Sequence, residues 1–290
     1  MSEIDSEKEN VMRLLQSGYR ENVELGLVLA ETLQINIEEF KTDINVLYNW
    51  VAEVQGWKKA GLSVNEKIIK LIPLKAIKTS KPGNISYIPP LIRYLVNLEL
   101  ISLTGHCLAN LPSEIGQLSK LTALYFNNNE ISVLPQELWD CKNLSTLDLS
   151  GNKLDKIPDG IDNCTQLETL NLSYNHFQLV PIMICKCSHL TCLDLGYNNL
   201  SFIPSEIGKL KELTSLRLNY NPLGSIPPEI GNLTKLIVLD LTSSQLKSLP
   251  EEISNLINLR DLRLKNNLFS WKEERRVRSL LPHCSMSFSI

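Results

Sequence analysis

From residue 98 onward the apolar positions of the chain recur with a period of 23. Eight units begin at Leu98, Leu121, Leu144, Leu167, Leu190, Leu213, Leu236 and Leu259, with no insertion between them. The first, fourth and sixth positions of each unit are apolar, as in Leu144, Leu147 and Leu149. Alternation of this kind predicts a short strand with one buried face. The ninth position is Asn in six units (Asn129, Asn152, Asn175, Asn198, Asn221 and Asn267), while His106 and Ser244 fill it in the other two. A sharp turn at this point leaves backbone groups inside that need partners. An inward amide carries donors and an acceptor, so it can serve both its own coil and the adjacent one. Serine lacks that set, which makes the seventh unit the expected weak link. Next come Pro89, Pro112, Pro135, Pro158, Pro181, Pro204, Pro227 and Pro250, each 23 residues after the last. Proline favours an extended approach and cannot continue a strand ladder. Apolar residues three and six beyond it, such as Ile207 and Leu210, close the coil on its convex side.

A 23-residue unit with an LxxLxLxxN core, as in LTSLRLNYNPLGSIPPEIGNLTK from Leu213 to Lys235, is the signature of leucine-rich repeats. Its LPxxI form resembles the repeats of intracellular scaffold proteins, including Ras-associated and plant intracellular ones, over residues 85–290. The resemblance implies an α/β solenoid: a horseshoe with a parallel sheet along its concave side. The ending LLPHCSMSF resembles the closing segments of microbial leucine-rich repeat proteins, and implies a complete array with no catalytic domain downstream.

The ends depart from the repeat. Residues 1–80 read as a helical N-terminal domain or cap, and 81–97 as a degenerate half repeat carrying Ile85, Ile88, Pro89, Ile92 and Leu95. The array proper occupies 98–270, and 271–290 form a C-terminal cap. Apolar spacing predicts helices from Glu7 to Gln16, Glu21 to Leu33 and Ile37 to Val54, and Ser63-x-x-Glu66 is a capping box for one running to Leu71. A first coil has one unstacked face, so a covering role is favoured over an independent binding module. Trp271 to Leu281 predicts a helix stopped by Pro282. Cys284, Met286, Phe288 and Ile290 then alternate with Ser285, Ser287 and Ser289 as a last strand would.

Outside the leucine frame, positions three, five, seven and eight of each unit face away from the core. Position five reads Tyr125, Asp148, Asn171, Asp194, Arg217, Asp240 and Arg263 in successive units, and position eight holds Tyr174, Tyr197 and Tyr220. Aromatic residues beside charges on a rigid surface are what protein interfaces favour. Asp at position five and Tyr before the Asn are also common background in such repeats. What distinguishes this chain is three adjacent tyrosines flanked by a change from acidic to basic character at Arg217, Arg263 and Lys265. These ten residues form the candidate partner-binding face.

Composition narrows the alternatives. With 43% hydrophobic and 21% charged residues the chain suits a globular protein, and a net charge of −3 without a basic tract gives no reason to expect nucleic acid. No apolar run approaches a membrane span, and the acidic start MSEIDSEKEN is unlike a secretory signal. A cytoplasmic location follows as the expectation, and export by a signal-independent route would look the same. Cys141, Cys164 and Cys187 share one repeat position and read as small core hydrophobes. The grouping Cys185, Cys187, His189 and Cys192 has metal-like composition, but the register points its members in different directions, whereas zinc needs convergent ligands. Paired cysteine caps of the extracellular type are missing, and the six Asn-x-Ser/Thr sequons would matter only on a secretory route. No phosphate-binding loop, HExxH helix or GxSxG elbow occurs, and the four histidines are scattered. His106 at the inward position reads as structural. The expectation is a non-enzymatic, cofactor-free monomer that binds a protein partner as scaffold or signalling adaptor. A stoichiometric enzyme inhibitor, or an effector subunit recruiting machinery through residues 1–80, are the alternatives.

Overall fold

A computed structural model of the chain describes residues 3–17, 19–57, 61–79 and 81–288. Ten strands form one parallel sheet in strict sequence order: β1 (Ala76–Lys78), β2 (Leu100–Ser102), β3 (Ala123–Tyr125), β4 (Thr146–Asp148), β5 (Thr169–Asn171), β6 (Cys192–Asp194), β7 (Ser215–Arg217), β8 (Val238–Asp240), β9 (Asp261–Arg263) and β10 (Ser285–Ser287). Each strand's central residue points inward, and Ile101, Leu124, Leu147, Leu170, Leu193, Leu216, Leu239 and Leu262 are all fully buried. Short 3₁₀ turns follow the repeat prolines on the opposite side, from Pro90–Tyr94 to Glu251–Asn255. Strands in a sheet sit about 4.8 Å apart, and helical turns with their side chains need more room. The stack therefore curves with the sheet inside. Glycine relieves part of that crowding: a Cβ on Gly116 would collide with the carbonyl oxygen of Glu137 in the next turn.

The inward asparagines join the coils. Asn175 Nδ2 donates to the carbonyls of Leu172 in its own coil (3.1 Å) and Leu149 in the preceding one (2.9 Å), while its Oδ1 accepts from Leu154 N–H (2.9 Å). Asn129, Asn152, Asn198, Asn221 and Asn267 repeat the arrangement. Ser244 does not. Its hydroxyl reaches Leu218 O and Thr242 O only at 3.4 and 3.5 Å, and the Leu223 N–H turns back to Asn221 O. His106 is buried with neither ring nitrogen hydrogen-bonded.

Four helices precede the array: α1 (Glu3–Leu15), α2 (Arg20–Thr32), α3 (Glu38–Val54) and α4 (Val64–Leu71). The Ser63/Glu66 capping box forms at the start of α4. Helix α3 buries Phe40, Ile44, Leu47, Tyr48, Trp50 and Val51 and lies against the first coil. Gln55 Nε2, just past its end, donates to Ala76 O (2.9 Å), and Trp50 Nε1 donates to Tyr87 O (3.0 Å). A continuous core runs from Val11 to Phe288. The strand half of the first coil is thus present as β1, inside the stretch expected to be helical. Ala76 pairs with Leu100, whereas Leu100 pairs with Ala123, so this coil carries one extra residue and falls out of the 23-residue frame. Leu33, the last residue of the helix expected from Glu21 to Leu33, stands just past the end of α2 and is exposed.

At the other end α5 (Trp271–Leu280) is capped by Ser270, whose hydroxyl accepts from Glu273 N–H (3.2 Å). It buries Val277, and Leu281 just beyond its end is buried as well. Its Glu273–Arg276 pair holds the exposed backbone of the last full coil: Glu273 Oε1 accepts from Leu249 N–H, and Arg276 donates to Leu249 O. Strand β10 then pairs parallel with β9. Ser289 and Ile290 lie outside the described residues.

Candidate protein-binding face

Register alone aligns the position-five side chains. Tyr125, Asp148, Asn171, Asp194, Arg217, Asp240 and Arg263 are direct partners on successive strands, forming one row along the concave sheet. The carboxamide or carboxylate members have local work. Oδ1 of Asp148, Asn171, Asp194 and Asp240 accepts the N–H two residues on, from Ser150, Ser173, Gly196 and Thr242, at 2.9–3.1 Å. Side-chain turns of this type pin the chain where it leaves the strand. This is the physical reason such residues recur at position five, and it removes Asp148 and Asn171 as evidence of recognition by themselves.

The expected change from acidic to basic character is instead an alternation. Asp194 pairs with Arg217 (3.5 Å) and Asp240 with Arg263 (3.5 Å) across adjacent strands. Burial raises the Asp194 carboxyl above its ordinary value, against the lowering effect of the Gly196 N–H and Arg217. Both guanidinium groups remain more than two-fifths exposed, so the row ends in neutralised pairs with accessible donors.

Position eight differs in kind. Every unit holds this residue in the left-handed region: Gly105, Asn128, Gly151, Ser243 and Asn266, and also Tyr174 (φ 54°), Tyr197 (φ 52°) and Tyr220 (φ 55°). Hydrogen bonds from the three tyrosine N–H groups to Gly196 O, Asn219 O and Thr242 O in the next coil lock it. Glycine and asparagine adopt this conformation readily, whereas a bulky side chain adopts it at a cost in backbone strain. The rings form a ladder, with centroids 4.0 and 4.2 Å apart and planes within 10° and 15°. Tyr174 and Tyr220 are 55% and 43% exposed, leaving edges, hydroxyls and the outer faces of the ladder open to a partner. Hydrogen bonding to Tyr174 foremost, then burial and Tyr220, holds the Tyr197 phenol above its usual value.

The structure places the tyrosines along the rim where strands leave the sheet, beside the position-five row. A further outward row, Val133, Leu179 and Phe202 at position thirteen, is exposed. Leu179 and Ile182 border a groove of about 450 Å³ with Pro158, Pro181 and Met183. Their signal in the sequence is apolar residues at positions the repeat frame does not require. Cys141, Cys164 and Cys187 stack in the core, with burial pushing each thiol up to about 12. Cys185 is also buried, His189 is exposed and Cys192 lies on β6. Among the described residues no group of three or more His, Cys, Asp or Glu side chains is placed to hold a metal ion.

Family models described as leucine-rich repeat region and leucine rich repeat match residues 182–281, and 96–154 with 119–177. The chain belongs to the leucine-rich repeat proteins. It is similar to a solved leucine-rich repeat protein of Leptospira interrogans, with 37% identity and a TM-score of 0.73 over 77% of this chain and 57% of that one. It also matches a plant peptide hormone receptor, RGFR1, solved in complex with RGF2, at 28% identity and TM-score 0.58, over 77% of this chain and 41% of the receptor. An internalin of Listeria monocytogenes, InlF, shares the fold at 21% identity and TM-score 0.62 over 85% of this chain and 77% of its own. The chain thus spans little more than half of the Leptospira protein and less than half of the receptor. A search of curated proteins finds no match. Leucine-rich repeat proteins are protein-interaction modules. Among the described residues no helix is long and apolar enough to cross a membrane.

Proposed function

We propose that this leucine-rich repeat protein acts by binding a protein partner along the strand side from β4 to β9, with Tyr174, Tyr197 and Tyr220 as the anchor. The observation that carries this reading is the left-handed backbone of tyrosines in three adjacent coils, at a position that the other coils fill with Gly, Asn or Ser. Strain that recurs in adjacent coils and holds exposed aromatics in a ladder is the kind concentrated at binding sites. The Asp194–Arg217 and Asp240–Arg263 pairs supply donors and acceptors beside that anchor without a net field. Aromatic and arginine side chains carry most of the energy in protein interfaces. The related receptor solved with a peptide hormone is consistent with such use of the fold. The role is that of a scaffold or signalling adaptor in the cytoplasm, without catalysis and without a cofactor. Partner capture from cell extract by wild type and by Tyr174→Ala/Tyr197→Ala/Tyr220→Ala, compared at matched thermal stability, tests it. Specific partners lost in the triple variant support the reading; equal capture refutes it.

A further inference from the structure

Helix α5 closes the array with one side and leaves the other to solvent. Glu273, Arg276, Val277 and Leu280 share the inner side at helical spacing. Val277 is buried there, and Glu273 and Arg276 bond the backbone of Leu249. The opposite arc carries Trp271, Lys272, Arg275, Arg278 and Ser279, all exposed, with no acidic residue among them. Glu274 lies at its edge, half-buried. Lys272, Arg275 and Arg278 make no ion pair among the described residues. Trp271 is 71% exposed, more than any other large apolar side chain described, and Leu268 in the loop leading into the helix is 59% exposed.

The chemistry of that arc identifies what it fits. The Arg275 guanidinium lies over the Trp271 ring at 5.3 Å from its centre, and Arg278 lies over Phe288 at 4.7 Å. Both cations are thus held against aromatic surface and not against carboxylates. Residues 259–290 carry seven Lys and Arg against three Asp and Glu, in a chain whose net charge is −3. Positive charge therefore collects at this end, and an anionic surface is drawn to it and repelled by the rest of the molecule. The apolar members separate two anionic partners. A nucleic-acid strand would meet the cations and stack on the indole, but it offers Leu268 nothing apolar. A lipid surface serves both: Trp and Leu settle at the boundary of headgroups and acyl chains while the cations meet phosphates.

We propose that the outward arc of α5 docks the protein on an anionic lipid surface, with Trp271 and Leu268 entering the headgroup layer and Lys272, Arg275 and Arg278 against the phosphates. Contact of this kind is peripheral and needs no membrane-crossing helix. The arc shares no residue with the strand-side face, and the inference is independent of what binds there.

Co-sedimentation of the full chain with vesicles tests it, using phosphatidylcholine alone and phosphatidylcholine with about one-third phosphatidylserine. The expected result is binding to the mixed vesicles that weakens in high salt, accompanied by a blue shift of indole emission. Binding to phosphatidylcholine alone should be about tenfold weaker or less. Trp271→Ala is expected to abolish the blue shift and most of the binding with an unchanged thermal midpoint, since the side chain is mostly exposed. Lys272→Glu/Arg275→Glu, which leaves Arg278 over Phe288, should weaken binding about tenfold or more. Lys272→Arg/Arg275→Lys, which keeps the charge, should retain it. A chain that ignores the mixed vesicles, or binds both kinds equally, overturns the proposal. So do Trp271→Ala and charge-reversed variants that bind like wild type. A single-stranded oligonucleotide held more tightly than the mixed vesicles would also overturn it, assigning the arc to nucleic acid.

Discussion

Asn198→Ala is the most informative single perturbation of the array. Its amide accepts from Phe177 N–H (3.1 Å) and donates to Leu172 O (3.0 Å) and Leu195 O (3.1 Å), so alanine strands three backbone groups in two coils. A buried polar group left without a partner costs about 1–3 kcal/mol. Asn198 is only 6% exposed, yet the turn lies near the strand rim, where water can reach part of what is uncovered. Three groups at the low end of the range give a loss of about 3 kcal/mol. Ser244→Ala is the internal control, because the same position there makes only bonds of 3.4 and 3.5 Å and Leu223 N–H already has another partner. Its loss should stay below about 1 kcal/mol. Urea unfolding followed by circular dichroism reads both, and the slope of each transition shows whether coils still unfold together. Equal midpoints for the two variants, or an unchanged midpoint for Asn198→Ala, would refute the account of the asparagines as ties between coils.

Three other outcomes are expected. Gly116→Ala should cost about 1–3 kcal/mol as an overpacking change, because the new methyl meets the Glu137 carbonyl oxygen; a neutral substitution in thermal unfolding would contradict the close packing of those turns. In native protein at neutral pH, Cys141, Cys164 and Cys187, with thiols near 12, should resist a thiol reagent that labels exposed Cys107, as peptide mapping would show. Asp194 has its folded pKa raised by burial, so its contribution to stability is present below the ordinary carboxylate value of 3.8 and is lost as pH rises through the folded value. Asp194→Asn, which keeps the bond that Asn171 makes in the previous coil, should therefore gain stability relative to wild type at neutral pH and lose that advantage near pH 3; a pH-independent difference would remove burial as the cause.

Most of the solenoid could be read from spacing because each coil's partners lie one repeat away. The Asn ties, the weak substitution at Ser244 and the Ser63/Glu66 cap are short-range consequences of residue type. Strand β1 was not legible: its extra residue breaks the frame, and what places it is α3, through contacts such as Gln55 to Ala76 that no periodicity reports. On the candidate face, sequence identified the rows but misread their electrostatics. Only the register shows that Asp194 and Arg217 neutralise each other, and only the backbone shows that Asp148 and Asn171 fasten their own turns. The left-handed tyrosines could have been suspected, since Gly105, Gly151 and Asn128 fill the same position in neighbouring units. The exposed side of α2 could not, because its apolar residues spread over more than one face and tertiary packing decides which of them is covered.

The binding face is tested most directly by photocrosslinking in cell extract. The photoreactive residue p-benzoylphenylalanine replaces Tyr197 on the rim in one protein and the half-buried Glu229 in the convex-side turn Pro228–Asn232 in another. A discrete adduct from position 197 that is absent from position 229 is the predicted result. Adducts of the same identity and yield from both positions, or from 229 alone, would contradict a partner held along the strand side.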